Sequence, residues 1–185
     1  MEADNKSSAV KKSLIERVDN TLLEFNKKLA IKWMKRTGKS KSDLEKELYY
    51  GSGMLIGTCA ITGGNYLLML PAGFGLMAGN NESLRPRSKD YATKPGEIAT
   101  PRFHGDVILY GLGVTQTLIG AGSLVASLVT NDKEMCHTSL RMMSLGVGVI
   151  GWMSANYVSK ADIVDPLAKK ETAESKLDEN MFRYK

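Results

Sequence analysis

The stretch GVGVIGWMSANYVSK, residues 146–160, decides the fold class, because it is rich in small and apolar residues and uncharged until Lys160. Glycine in a helix interior costs about 1 kcal/mol relative to alanine, so a soluble core helix rarely contains so many. A helix in lipid has a use for them, because small residues let two backbones approach where no hydrophobic drive brings helices together. The stretch therefore indicates a helix in a membrane.

Charge is unevenly distributed along the 185 residues, which carry a net charge of +5. No Asp, Glu, Lys or Arg occurs in residues 49–81, 107–131 or 142–159, runs of 33, 25 and 18 residues. A membrane-spanning helix needs about 20 predominantly apolar residues. The three runs predict an all-α integral membrane protein with two to three hydrophobic helices.

The first run differs from the other two in its helix breakers. Gly63, Gly64 and Asn65 interrupt it, and so do Pro71, Gly73 and Gly75 farther along. Such residues break or kink a helix, so the run is either one long kinked span or a re-entrant pair of short helices. Irregular backbone at membrane depth requires cover from neighbouring protein or water. We therefore expect other helices to cover this run.

The basic residues bear on the number of crossings. Lys and Arg number 12 before the first run, five between the first and second, two between the second and third, and six after the third. A single crossing by the first run would place 14 on one side and 11 on the other. If the run returns to the side it left, the counts become 23 and two, a strong positive-inside bias. Charge favours re-entry, whereas length favours a crossing, and both alternatives stay open.

Residues 1–41 predict an amphipathic helical arm. Its apolar residues recur at helical spacing on one face, and lysine and arginine occupy much of the remainder. We expect this face to lie on an anionic membrane surface or on a partner, the alternative being a helix packed on its own domain. The face comprises Val10, Leu14, Val18, Leu22, Phe25, Leu29 and Trp33.

Four further segments follow the arm. Gly38 is a predicted C-cap, and Ser42–Glu45 has the form of a capping box, so residues 42–81 hold a helix and the first hydrophobic segment. Residues 82–106 are a proline-containing polar connection, and 107–159 are a transmembrane hairpin closed by the polar turn DKEMCHTSLR. Residues 160–185 form a mixed-charge tail with a predicted polar helix.

Small residues form stripes on both helices of the predicted hairpin. Their spacing predicts close helix packing and interhelical hydrogen bonds, the alternative being glycines scattered as in membrane helices generally. The predicted packing residues are Gly113, Thr117 and Gly120 on the first helix and Ser144, Gly148, Gly151 and Ala155 on the second.

The chain shows no constellation that predicts catalysis. An enzyme in a membrane usually carries ionisable residues within its spans, and the three runs have none. His104, Cys136 and His137 leave open a small enzyme or metal protein, but their spacing is not that of metal ligands. We predict no catalytic residue, metal or cofactor, and no nucleic-acid partner, because the basic residues alternate with acidic ones.

These patterns favour a non-enzymatic structural or accessory subunit of a large membrane complex, of the energy-transducing or the secretion and conjugation type. Its partners would be membrane lipids and other membrane subunits. The alternative is self-assembly, in which copies pack through the same stripes into a ring, pore or filament. Either protein would reside in a bacterial or mitochondrial inner membrane, which the sequence does not distinguish.

Overall fold

This computed structural model describes residues 14–85 and 105–163. Among them are five α-helices. Helix accounts for 91% of these residues and no strand occurs among them, which confirms the all-α prediction there. Val10, most of the proline-containing connection and the tail helix lie outside the described residues. The helices are α1 (Leu14–Thr37), α2 (Lys41–Gly63), α3 (Met69–Asn80), α4 (Gly105–Thr130) and α5 (Lys133–Lys160).

The junction between α1 and α2 is set by local caps. Gly38 has a left-handed φ of 69° and its N–H donates to the Met34 carbonyl at 2.9 Å, so the predicted C-cap is confirmed. The predicted capping box at Ser42 is wrong, because Ser42 already lies inside α2. Ser40 is the N-cap, and its hydroxyl and the Asp43 carboxylate each accept from the other's backbone N–H. Hydrogen bonds from the Ser40 hydroxyl and backbone hold the pKa of Asp43 below its usual value.

The first uncharged run folds as a helical hairpin of α2 and α3. Gly64, with a φ of 66°, ends α2, and a 3₁₀ turn over Tyr66–Leu68 leads into α3. Pro71 lies in the first turn of α3, where its missing N–H leaves no helical hydrogen bond unmade. The helices are antiparallel and touch through backbone, since a Cβ on Gly75 would lie 3.2 Å from the Gly53 Cα. The run therefore returns to the end from which it started.

The second hairpin joins α4 to α5 through a turn of two residues. Asn131 adopts a left-handed φ of 55°, and the Asp132 side chain accepts from the Met135 N–H at 3.0 Å. This compact turn lets α5 begin at Lys133, so the prediction of a polar turn from Asp132 to Arg141 is wrong in extent. The polar residues there form the first two turns of α5 and give it 28 residues.

The two hairpins pack side by side, with α5 against both α2 and α4 and with α3 against α2. We call the end where α2 and α4 begin the base, and the end with both hairpin turns the far end. Helix α1 lies across the base: Ala30 packs with Leu44 and Val158, and Asp19 accepts a hydrogen bond from the Tyr157 hydroxyl at 2.8 Å. Ala30 and Asp19 are about 16 Å apart along α1 yet meet neighbouring residues of α5, so the two helices cross.

Candidate membrane-facing surface

The predicted stripe on α4 lies against α5. A Cβ on Gly113 would lie 3.0 Å from the Gly146 carbonyl oxygen, and a Cβ on Gly120 would lie 2.9 Å from the Met143 nitrogen. A Cβ on Gly146 would lie 2.4 Å from Thr117 Oγ1. At Gly120 and Gly146 these distances are shorter than contacts that real Cβ atoms make, and at Gly113 the distance is tighter than most such contacts. The two backbones therefore approach closely because glycine occupies these positions.

The predicted stripe on α5 lies against α2, not against α4. A Cβ on Gly148 would lie 2.8 Å from Ile56 Cγ1, and one on Gly151 would lie 2.5 Å from Ser52 Oγ. Ala155 is fully buried in a cluster with Tyr49 and with Ala78 of α3. Ser144, half-buried, lines a cleft between α2 and α5 near the far end.

Helix α5 therefore has two packing faces, of which the predicted small-residue stripe is one. The missed face is the one that meets α4, and its signal was a second set of residues at helical spacing: Ser139, Met143, Gly146 and Ile150. Both faces are occupied by helices of the same chain. Association of copies through these same stripes would have to displace α2 or α4.

The outer faces of the bundle are apolar and exposed. On α4, Leu128 and Val129 have 70% and 82% of their surface exposed, and on α3 the corresponding value for Leu70 is 76%. Other large apolar residues extend this surface over both hairpins: Met54, Ile61, Leu67, Met77, Ile108, Leu112, Leu118, Ile119 and Val125. The exposed apolar area is continuous along α4, a pattern that marks contact with lipid or protein.

Charged groups lie near both ends of α5, although the exposed apolar surface of α4 continues past the level of Arg141 to Val129. Along α5, Arg141 and Lys160 are separated by about 28 Å, close to the ~30 Å hydrocarbon thickness of a bilayer. Among the described residues, one helix is long and apolar enough to cross a membrane, α4, with a mean hydropathy of 1.6. Only 17% of its most apolar 18-residue stretch is buried, whereas the core helix of a soluble protein is mostly buried.

A buried ion pair holds the base of the first hairpin together. Arg85 Nη1 lies 3.2 Å from a Glu45 carboxylate oxygen, with side-chain exposures of 4% and 12%. The same guanidinium donates to the carbonyls of Ala78 and Gly79 at 2.8 and 2.9 Å. These carbonyls belong to the last turn of α3, where they lack helical partners, so Arg85 ties α3 to the start of α2.

A second cluster of polar contacts joins the base of the second hairpin to α2. Asp106 pairs with Lys160, and the Tyr49 hydroxyl donates to Asn156 Oδ1 at 2.7 Å. Lys41 donates to the carbonyls of Ser159 and Ala161 at the end of α5, at 3.2 and 2.9 Å. The base is therefore a polar layer that connects α2, α4 and α5.

The predicted apolar face of α1 remains largely exposed. Leu14, Phe25 and Leu29 have 76%, 51% and 49% of their surface exposed, and Val18 is exposed as well. The residues of α1 that are buried against the base lie on the adjacent face: Asn26, Ala30 and Met34. Of the predicted face, Leu22 and Trp33 are half-buried, and Trp33 packs against the cluster of Ala30, Leu44 and Val158.

The cysteine and histidine candidates do not converge. Within 14–85 and 105–163, no group of three or more His, Cys, Asp or Glu side chains could hold a metal ion. Cys59 is buried, Cys136 is half-buried, and both are free thiols, while His104 lies outside the described residues. His137 and Cys59 both line the cleft at the far end.

Comparison with protein-family models, with curated proteins and with solved structures found no match to this chain.

Proposed function

We propose that this chain is an integral membrane protein that acts as a non-enzymatic structural subunit of a multiprotein membrane complex. One observation carries the membrane assignment: α4 is apolar over its 26 residues, and its outer face is exposed along most of that length. Exposed apolar area of this extent is costly in water. Lipid tails would cover it without that cost.

The proposed topology places the base on the positive side of the membrane. Lys133 and Arg141 lie at the far end, and the other described Lys and Arg lie in α1, in the linker to α2 and at the base. The positive-inside rule then orients the base toward the cytoplasm, or toward the matrix in a mitochondrion. Both hairpins would enter from that side. The exposed apolar face of α1, flanked by lysines, would lie in the lipid headgroup region.

The assignment as a structural subunit rests on the helix contacts that are already made within this chain. The glycine contacts close the two hairpins onto each other within one chain, so the unit arrives folded at its partners. Its remaining surfaces are the apolar outer faces, which suit membrane helices of other subunits, and α1. We place it in a bacterial or mitochondrial inner membrane, in an energy-transducing assembly or a secretion or conjugation machine.

Membrane fractionation and site-directed labelling test the topology. In a variant whose native thiols are removed, Lys39→Cys and Lys133→Cys place single thiols at the base and at the far end. In sealed right-side-out vesicles, a membrane-impermeant maleimide should label the Lys133→Cys protein and should label the Lys39→Cys protein only after lysis. Release of the whole chain by alkaline carbonate would contradict the membrane assignment.

Purification in mild detergent, followed by mass spectrometry of co-purifying proteins, tests the subunit assignment. We expect a defined set of membrane proteins in fixed ratio with this chain. A homogeneous oligomer of this chain alone would favour the self-assembly alternative, and a monomer without partners would contradict both.

A further inference from the structure

An open surface cleft of about 220 Å³ lies between α2 and α5 near the far end. On the α5 side its lining includes His137 and Arg141, and on the α2 side Thr58 and Thr62. Each pair is spaced by four residues, so its two side chains lie one helical turn apart on one face. The guanidinium of Arg141 and the imidazole of His137 thus line one side of the cleft, and both side chains are exposed. The hydroxyls of Thr58 and Thr62 on the other side donate to the Met54 and Thr58 carbonyls at 2.9 and 2.8 Å.

The cleft continues the contact surface of α5 that packs on α2. Toward the base, this surface consists of Gly148, Gly151 and Ala155, and it is closed by direct contact. Beyond Ser144 it changes to long polar side chains as α2 approaches its end at Gly63. The contact between α2 and α5 is therefore closely packed toward the base and opens into the cleft near the far end.

Arg141 has no carboxylate partner among the residues that the structure describes. It lies in the third turn of α5, about 12 Å from the start of the helix. Its side chain is exposed on α5, which leaves the guanidinium accessible from outside the bundle. Its guanidinium presents a planar fork of donors that suits phosphate oxygens.

We propose that this cleft binds a phosphate oxyanion, held by the Arg141 guanidinium with the His137 imidazole one helical turn away. The site lies at the level where the first hairpin turns, which is the level of lipid headgroups if the proposed function is correct. On that basis the phosphate is the headgroup of an anionic phospholipid in the far leaflet. Free inorganic phosphate has the same chemistry and is the other source to test.

Native mass spectrometry of the full chain in detergent is the direct test. The probes are phosphatidylglycerol, phosphatidylcholine and inorganic phosphate, each titrated against the wild-type chain and two variants. Arg141→Gln removes the proposed ligand, and Lys133→Gln removes one positive charge from the same helix outside the cleft. Arg141→Lys keeps the charge without the planar fork. Circular dichroism verifies that each variant retains wild-type helicity.

We expect phosphatidylglycerol to bind wild-type and Lys133→Gln proteins alike, with affinity roughly tenfold lower in Arg141→Gln, as for loss of a hydrogen bond to a charged group. Arg141→Lys should fall between them, and phosphatidylcholine should bind more weakly throughout. Equal binding of phosphatidylglycerol by wild-type and Arg141→Gln proteins would overturn the site. An Arg141-dependent response to inorganic phosphate with none to lipid would keep the oxyanion site and overturn its lipid source. Extraction with alkaline carbonate, described above, tests the membrane assignment independently of phosphate binding.

Discussion

Arg85 and Glu45, forty residues apart in the chain, form a buried ion pair at 3.2 Å that joins the end of α3 to the beginning of α2. The pair lies at the base, where the same arginine also binds the last carbonyls of α3. The first hairpin is thus closed at the far end by its glycine turn and at the base by this contact. Its integrity depends on two buried charges that satisfy each other.

Glu45→Gln should destabilise the protein by about 3 kcal/mol, because it removes the nearer, buried carboxylate of Arg85 and leaves only the exposed Glu82, at 3.7 Å, as a counter-charge. Glu47→Gln, two residues away, is the matched control, since Glu47 pairs with Lys39 at the surface. Exposed pairs contribute little, so the control should unfold like the wild type. Unfolding in detergent micelles titrated with dodecyl sulfate measures both. Equal midpoints for Glu45→Gln and Glu47→Gln would contradict the role of the buried pair.

Gly113→Ala and Gly111→Ala should have opposite effects although both lie in α4. A Cβ on Gly113 meets the α5 backbone at 3.0 Å, whereas a Cβ on Gly111 meets nothing within 4 Å. Overpacking at Gly113 should cost ~1–3 kcal/mol, and alanine at Gly111 should gain up to ~1 kcal/mol from helix propensity. Thermal unfolding followed by circular dichroism measures the two shifts. A stabilised Gly113→Ala variant would show that α4 and α5 do not touch there.

Gly148→Leu and Gly151→Leu should lower the yield and the stability of the folded monomer. Each inserts four side-chain carbons where α2 lies within contact distance, at Ile56 and at Ser52. Val149→Leu, on a half-buried position of the same helix, is the control and should have a small effect. Size-exclusion chromatography in detergent reports folding and association together. If both glycine variants folded as well as the wild type, α5 would have lipid, not α2, at this face.

Ser40→Ala should destabilise α2 by about 1 kcal/mol, since it removes the side chain that caps the helix. Ser40→Thr keeps a hydroxyl at the N-cap and should retain most of the stability. Hydrogen exchange at the first turn of α2 gives a local readout. Faster exchange in Ser40→Thr than in Ser40→Ala would argue against the cap.

The contribution of Asp43 to folding stability should change with pH in the acid range. Its folded pKa is lowered by hydrogen bonds from Ser40, so its stabilising effect is complete above the unfolded pKa of about 3.9 and is lost as pH falls through the folded pKa. The stability difference between wild type and Asp43→Ala should therefore be larger at pH 7 than near pH 2. A difference independent of pH would show that the carboxylate charge has no part in the cap.

Local signals predicted much of the secondary structure. Gly38 ends α1 as expected, because a left-handed C-cap is a property of one residue and its neighbours within a turn. The predicted capping box lies two residues after the real one, since Ser40-x-x-Asp43 and Ser42-x-x-Glu45 are both compatible with helix initiation. Glu45 instead forms an ion pair with Arg85, a partner that sequence spacing does not reveal. Arg85 itself followed the first run by four residues, where a basic side chain can reach the carbonyls that end a helix.

The sequence by itself determined that the described chain is helical, that α1 ends at Gly38 and which segments lack charge, because these depend on periodicity and on residues within a turn of one another. The tertiary structure decided which face of α5 meets which helix: Gly148 faces α2 and Gly146 faces α4, although only Val147 lies between them. It also decided that the first run returns to the base and that α1 exposes its apolar face. Those outcomes depend on how two hairpins dock, and docking is governed by contacts between residues tens of positions apart.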